Sequence, residues 1–245
     1  MLVVGNYVSP YVRKVLAALA LKSIAYQIDP LTPFYGDDAF TRLSPLRRIP
    51  VLIDGDLTLT DSAVICEYLD DAYPKHPLLP RGVADRARAR VLHGWADDRL
   101  GELLIWRLFW PIAVKPNVFG APRDKEAARQ VVEHDLPPAL DYLEREAPEA
   151  GFLSGDIGSA DIAVAAPFRN AAWVRTPIDA ERWPRAAAYV ARVLDHPALA
   201  DLRAFEELSL RTPPPEQRAA LIAAGAPISA TTYGLAEPRP SPTRG

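Results

Sequence analysis

Three short stretches hold residues whose types and spacing can do chemistry. Ser9-Pro10 precedes an Ala/Leu-rich run and has Tyr7 and Tyr11 beside it. Ser is a favoured helix N-cap and Pro suits the first helical position, so a helix starts here. A Ser oxygen can accept a helix N–H while its proton points elsewhere, which leaves open whether Ser9 is a cap only. Arg47-Arg48 stand before Ile49-Pro50, a proline opening an apolar strand, where it gives up no central ladder bond. Asp61-Ser62 precede a further helical run, and the unpaired N–H groups and positive dipole end of a helix start attract carboxylates. A cap, a solvated surface pair and a strand-edge proline are the plain structural readings of the same residues.

Other chemistries have little support. The single Cys66 excludes intrachain disulfides and multi-cysteine metal sites; no C-x-x-C occurs, and Cys66 reads as a small buried hydrophobe. His76, His93, His134 and His196 are scattered without metal-ligand spacing, so no metal is expected. A net charge of −3 with no long run of one sign argues against nucleic acid as a partner. No run of about 18 apolar residues suggests a membrane span, and the N-terminus lacks the pattern of a signal peptide. The expectation is a soluble cytoplasmic protein with no membrane association.

The elements that must position these residues fall into two groups. Residues 1–80 alternate strand-like and helix-like runs: MLVVG and IAYQID as strands, PYVRKVLAALALK as a helix, and a short helix at DDAFTRL. IPVLIDGDLTLTD reads as a hairpin around Asp54-Gly55-Asp56, followed by a helix, SAVICEYLDDAY, capped by Asp61 or Thr60 and ended at Pro74. The β-α-β-α-β-β-α order predicts a small α/β domain over residues 1–74. The 25 prolines cluster, and YPKHPLLPRG reads as a linker at 75–84. Residues 85–210 carry helical patterns almost throughout. One long helix is expected to stop at Pro111, and another to kink at Pro137-Pro138. Residues 211–245 form a Pro-rich tail in which EQRAALIAA can form a short helix.

With this order and these motifs together, the chain resembles the glutathione S-transferases, which join a thioredoxin-like α/β domain to an all-helical-bundle C-terminal domain. The resemblance covers residues 1 to about 210 and is most specific in SPLRRIPVLIDGDLTLTDSAVICEYLDDAYP, Ser44 to Pro74. It implies a cis bond at Ile49-Pro50, with the Ile49 backbone pairing with the cysteinyl unit of glutathione. It implies Ser62 on the γ-glutamyl carboxylate, Asp61 on the α-amino group and Arg48 near the glycyl carboxylate. The family often has Glu where Asp61 stands and commonly Lys where Arg48 stands. It places Ser9 at the thiol, in the manner of serine-type, bacterial-like members, with Tyr7 as the alternative. A hydroxyl donor and a helix N-terminus both favour thiolate over thiol.

In LLIWRLFWPIAV, Trp106, Phe109, Trp110 and Ala113 follow helical spacing. The family's corresponding helix lines an apolar pocket, so Trp106 and Phe109 are candidates for the hydrophobic substrate, although helix–helix packing explains most such stripes. GDIGSADIAVAA resembles the family's buried helix, with Gly158 as cap and Asp161 reaching back. The resemblance implies a homodimeric transferase of detoxification, with glutathione as co-substrate and a small apolar electrophile as partner. The alternatives are a non-catalytic binding or scaffold protein of this fold, and a glutathione-dependent isomerase or ether-cleaving enzyme.

Overall fold

A computed structural model of the chain describes residues 1–239. They form two compact units, residues 1–76 with 201–239, and residues 77–200; Pro240 to Gly245 lie outside the described residues.

The first unit is built on a four-stranded sheet of order β2-β1-β3-β4. Strand β1 (Leu2–Val4) runs parallel to β2 (Gln27–Asp29) and antiparallel to β3 (Val51–Asp54), which pairs with β4 (Leu57–Thr60) across the Gly55-Asp56 turn. Val3 lies opposite Ile28 on one side and Leu52 on the other, and all three are buried. Helix α1 (Pro10–Leu21) connects β1 to β2, α2 (Asp38–Leu43) precedes β3, and α3 (Ser62–Ala72) follows β4. This is the expected thioredoxin-like order. Val12, Val15, Leu16 and Leu19 of α1 are fully buried, as their helical spacing predicts. At the far end of α3, the buried Lys22 Nζ donates to Asp70 (2.9 Å) and to the carbonyls of Tyr73 (2.8 Å) and His76 (3.2 Å). A cation is well placed there, where helical carbonyls go unpaired.

The C-terminal segment completes this unit. Helices α11 (Arg203–Arg211) and α12 (Pro214–Ala223) pack together, and the chain after them runs along β2. Ile28 donates to the Pro227 carbonyl (2.8 Å) and accepts from the Ser229 N–H (3.0 Å). Asp37 donates to the Tyr233 carbonyl at 2.8 Å, and Leu235 to the Tyr35 carbonyl at 2.6 Å. The exposed edge that β2 would otherwise present is thereby paired. Asp29, buried at the end of β2, accepts from the Tyr233 N–H (2.8 Å) and from Arg218 (3.2 Å). Burial pushes its carboxyl above the usual range, while Tyr233, Thr232 and Arg218 draw it back.

The second unit is helical. Helix α4 (Val83–Trp95) continues into a wide-turned stretch, Ala96–Val114, and then α5 (Lys115–Phe119). Pro111 does not stop this helix. Wider i→i+5 turns relax the spacing that a proline ring disrupts in an α-helix, and the helix ends instead at Gly120, whose left-handed φ of +66° closes it. A second wide-turned stretch, Val131–Asp135, separates α6 (Lys125–Gln130) from α7 (Leu136–Glu146). It lies just before Pro137-Pro138, where the sequence calls for a kink. The remaining helices are α8 (Ser159–Trp173), α9 (Pro184–Leu194) and α10 (Pro197–Ala200).

Helix α8 is the buried axis of this unit. Asp161, itself buried, accepts from the Gly158 N–H (2.9 Å), the Leu153 N–H (2.9 Å) and the Tyr189 hydroxyl (2.7 Å). Gly158 lacks the side chain that would complete a reciprocal cap, and the structure gives the reason. A Cβ there would sit 2.6 Å from the Leu78 carbonyl oxygen, which accepts from the Ser159 N–H at 2.9 Å. The cap scale alone ranks Ser above Gly, but here a backbone oxygen occupies the space. Gly158→Ser should therefore lower stability by about 1–3 kcal/mol, the usual cost of overpacking. A urea midpoint at or above that of the parent protein would refute this.

Candidate functional site

Of the residues singled out in the sequence, Ser9, Tyr7, Arg48, Ile49, Pro50, Asp61 and Ser62 lie on the first unit, around the starts of α1 and α3 and the opening of β3. Ser9 caps α1: its backbone is extended (φ −72°, ψ 125°), its Oγ accepts from the Val12 N–H at 3.4 Å, and Pro10 occupies the first helical position. The hydroxyl proton is not needed for that bond. The turn before it is closed by Asn6, whose carbonyl accepts the Ser9 N–H (3.0 Å) and whose Oδ1 accepts the Val8 N–H (2.8 Å).

Tyr7 is placed differently. It is 1% exposed, its ring lies 5.4 Å from that of Phe205, and its hydroxyl is buried beside Tyr26. Burial, reinforced by nearby Tyr26, pushes the Tyr7 hydroxyl far above the usual phenol range. It is held as a neutral core side chain.

The Ile49–Pro50 bond is cis and leads directly into β3. Ile49 itself precedes the ladder. The loop ahead of it is tied by Ser44, whose hydroxyl accepts from the Arg48 N–H and donates to the Arg48 carbonyl, both at 2.9 Å. The two adjacent arginines part company. Arg48 is exposed. Arg47, with a left-handed φ of +50°, is buried; it donates to the carbonyls of Pro33 (3.0 Å) and Gly36 (2.8 Å) and to the Thr41 hydroxyl (2.7 Å), and stacks over Phe40. Sequence reasoning missed this anchor, because nothing local distinguishes one arginine of the pair from the other.

At the start of α3, Asp61 is the cap. Its Oδ1 accepts from the N–H groups of Ala63 (2.9 Å) and Val64 (3.2 Å), while Ser62 is buried at the first helical position. Asp61 is exposed, yet its backbone sits at φ +83°, a conformation that costs about 1–3 kcal/mol in a non-glycine residue. The start of α3 is thus presented to solvent with part of its donor capacity used by its own cap. Taken singly, Ser9 Oγ, the Ile49 backbone, exposed Arg48 and the Asp61-Ser62 helix start are groups of the kinds that suit a hydrogen-bond acceptor, an extended peptide, an anion and a carboxylate.

On the second unit, Trp106 and Trp110 are half-buried with ring centroids 6.0 Å apart, and Trp110 reaches Phe119 at 6.2 Å. Phe109 is turned into the core, 6.1 Å from Trp173. The wide turns account for the split: with more than four residues per turn, i and i+4 stay on one face while i+3 rotates away. No group of three or more His, Cys, Asp or Glu side chains is placed to hold a metal ion among the described residues, and no helix among them is long and apolar enough to cross a membrane.

The family profile for the glutathione S-transferase N-terminal domain matches residues 3–77. Glutathione S-transferase U13 of Arabidopsis thaliana is 30% identical over 170 residues, covering 66% of this chain and 70% of that protein. Over two other curated glutathione S-transferases, from Triticum aestivum and Arabidopsis thaliana, the chain spans only 37% and 35% of their length. Among solved structures, a glutathione S-transferase from Rhodospirillum rubrum is 28% identical with a TM-score of 0.75, covering 82% of this chain and 90% of that one. A maleylacetoacetate isomerase from Methylobacterium extorquens, solved with malonate and glutathione bound, is 27% identical with a TM-score of 0.64, covering 84% and 97%.

The neighbouring arginines separate fold from surface in a measurable way. Arg47→Met should lower unfolding free energy by about 2 kcal/mol or more, since three buried acceptors lose their donor. Arg48→Met should change it by less than about 0.5 kcal/mol. Equal losses in denaturant unfolding would contradict the assignment.

Proposed function

Because the chain belongs to the glutathione S-transferase family, we propose that it binds glutathione at the starts of α1 and α3 and conjugates it, through its sulfur, to a small apolar electrophile. The observation that carries the reading is Asp61: an exposed residue held in a costly backbone conformation, whose effect is to present the α3 N-terminus. In this reading the cysteinyl backbone pairs with Ile49 beside Pro50. The γ-glutamyl carboxylate meets Ser62 and the helix N–H groups, and the α-amino group meets Asp61. Arg48, exposed beside the same loop, takes the glycyl carboxylate.

The sulfur then falls to Ser9. A free thiol ionises near pH 8.5, and each unit by which the site lowers that value requires about 1.4 kcal/mol of selective thiolate stabilisation. Ser9 donates its hydroxyl proton to the sulfur while its oxygen caps the helix, and the α1 N-terminus adds its partial positive charge. The thiol proton leaves to solvent, and the thiolate forms a carbon–sulfur bond at the electrophilic carbon as the bond from that carbon to its leaving group breaks, the electron pair departing with that group. On the second unit, half-buried Trp106 and Trp110 are the aromatic side chains whose chemistry suits an apolar substrate, whereas Phe109 is turned into the core. We assign Ser9 rather than Tyr7 because the Tyr7 hydroxyl is buried and strongly disfavoured as a phenolate. This makes the chain a serine-type member of the family.

A second reading has one observation in its favour, the likeness to the maleylacetoacetate isomerase. The same thiolate would add to an unsaturated acid and leave again after bond rotation, so glutathione would be regenerated. Turnover with unsaturated dicarboxylic acids without glutathione consumption would select it over conjugation. Self-association into a homodimer also belongs to the proposal. It is supported by exposed Leu57 and Val64 on the first unit and by Val83 and Val91 on α4.

Three outcomes follow. Ser9→Ala should raise the apparent pKa of the bound thiol by about one unit and reduce kcat/KM at neutral pH about tenfold or more. Tyr7→Phe should leave both unchanged, since it removes only a hydroxyl buried in the core beside Tyr26; thiolate absorbance titrations read the two variants side by side, and the opposite pattern would move the role to Tyr7. Sedimentation at micromolar concentration should give a dimer that Val64→Lys weakens, and a monomer in the parent protein would remove that part of the reading.

A further inference from the structure

The side chain that fixes the turn before Ser9 is itself held from the far end of the chain. Asn6 is buried and every polar atom of its amide is in use. Its Oδ1 accepts the Val8 N–H at 2.8 Å, and its two Nδ2 hydrogens go to Thr32 Oγ1 (3.0 Å) and Gln217 Oε1 (2.6 Å). Gln217, on α12 and 5% exposed, is equally saturated: its Nε2 donates to the carbonyls of Ser209 (2.7 Å) and Thr212 (3.0 Å) where α11 ends. The amide orientations are fixed by this pattern, because a flip of either would set oxygen against oxygen or N–H against N–H.

From this geometry we propose that Gln217 is a positioning residue for the glutathione thiol site, acting through Asn6 on the turn that aims Ser9. The inference rests on the reading of Ser9 as the thiol's donor. Its physical content is narrow. Losing the Gln217 oxygen frees one Asn6 hydrogen in a buried setting, where a polar group without a partner is costly. Asn6 then regains rotational freedom about the bond that holds Oδ1 against the Val8 N–H. The Asn6–Ser9 turn loosens, and a hydroxyl that must meet sulfur at hydrogen-bond distance loses its aim. Thr32 alone is a weak substitute, since it lies in the loop after β2 and grips one hydrogen only. The surrounding segment gives Gln217 a fixed base: α12 also carries Arg218, which reaches Asp29 at the end of β2.

The test compares Gln217→Ala with the parent protein and with Glu216→Ala, an exposed neighbour on the same helix. Amide hydrogen exchange is followed over residues 6–12, together with glutathione affinity and the thiolate absorbance titration. We expect faster exchange confined to that turn, glutathione affinity within about threefold of the parent, and a bound-thiol pKa raised enough to lower kcat about tenfold with KM little changed. Glu216→Ala should match the parent. If Gln217→Ala does not fold, Gln217→Met fills the volume without either polar contact and replaces it. Unchanged exchange at residues 6–12 overturns the proposal. So does faster exchange spread over the whole first unit with kcat and KM falling together, which marks a purely structural role. If the parent protein fails to bind glutathione, the proposed function fails by itself, and the exchange of residues 6–12 still decides whether Gln217 sets the turn.

Discussion

An α-helix begins with N–H groups that nothing inside it can accept, and this constraint organises the first unit. At α1 the demand is met by Ser9, at α3 by Asp61. Both caps use only part of their chemical capacity. Ser9 accepts and keeps a proton to give, and Asp61 uses one carboxylate oxygen and keeps the other. The residues that stop the helices from fraying therefore also have hydrogen-bonding capacity left over. A helix start needs such a residue anyway, so chemistry placed there demands little extra from the fold.

The two starts are presented by different means. The α3 start relies on local devices, with Asp61 at φ +83° and its side chain capping the helix. The α1 start relies on distant contacts. Its turn is stitched by Asn6, and Asn6 is stitched by Thr32 and Gln217, 26 and 211 residues further along. Residues 201–239 thereby act as part of the first unit. They pair the β2 edge, neutralise buried Asp29 and hold the first turn, so the unit cannot be defined by residues 1–76 alone.

How legible this was in the sequence depends on the range of each interaction. Local devices read directly. The Asp54-Gly55-Asp56 hairpin, the Ser9-Pro10 helix start, the Asp61 cap and the burial of Val12, Val15, Leu16 and Leu19 each follow from spacing within a few residues. What did not read was long-range or twofold. Arg47 and Arg48 are chemically identical neighbours, and only the folded 33–37 turn decides which of them is swallowed. Pro111 looked like a stop because the rule assumes α-helical turns, and the wide turns of Ala96–Val114 relax it. The same widening separates Phe109 from Trp106, which α-helical spacing puts on one face. Gln217 sits in a stretch with no recognisable pattern, and its partner lies at the opposite end of the chain.

The body of α1 shows why such distant contacts use polar groups at all. Below the Ser9 turn, Arg13 pairs with Glu206 of α11 at 2.5 Å, both side chains fully buried. A buried ion pair is weak evidence of net stability, because taking both charges out of water offsets most of their attraction, while removing one partner costs about 3–5 kcal/mol. Apolar packing would hold α1 as firmly but with less discrimination, since hydrophobic contact is non-directional and tolerates a few degrees of rotation. A guanidinium on a carboxylate tolerates much less. With Arg13 fixed one turn below Ser9 and Asn6 fixed just above it, rotation of α1 about its own axis is constrained on both sides of the cap. The start of α1 is thus tied to two C-terminal helices, through one ion pair and one amide-to-amide bond.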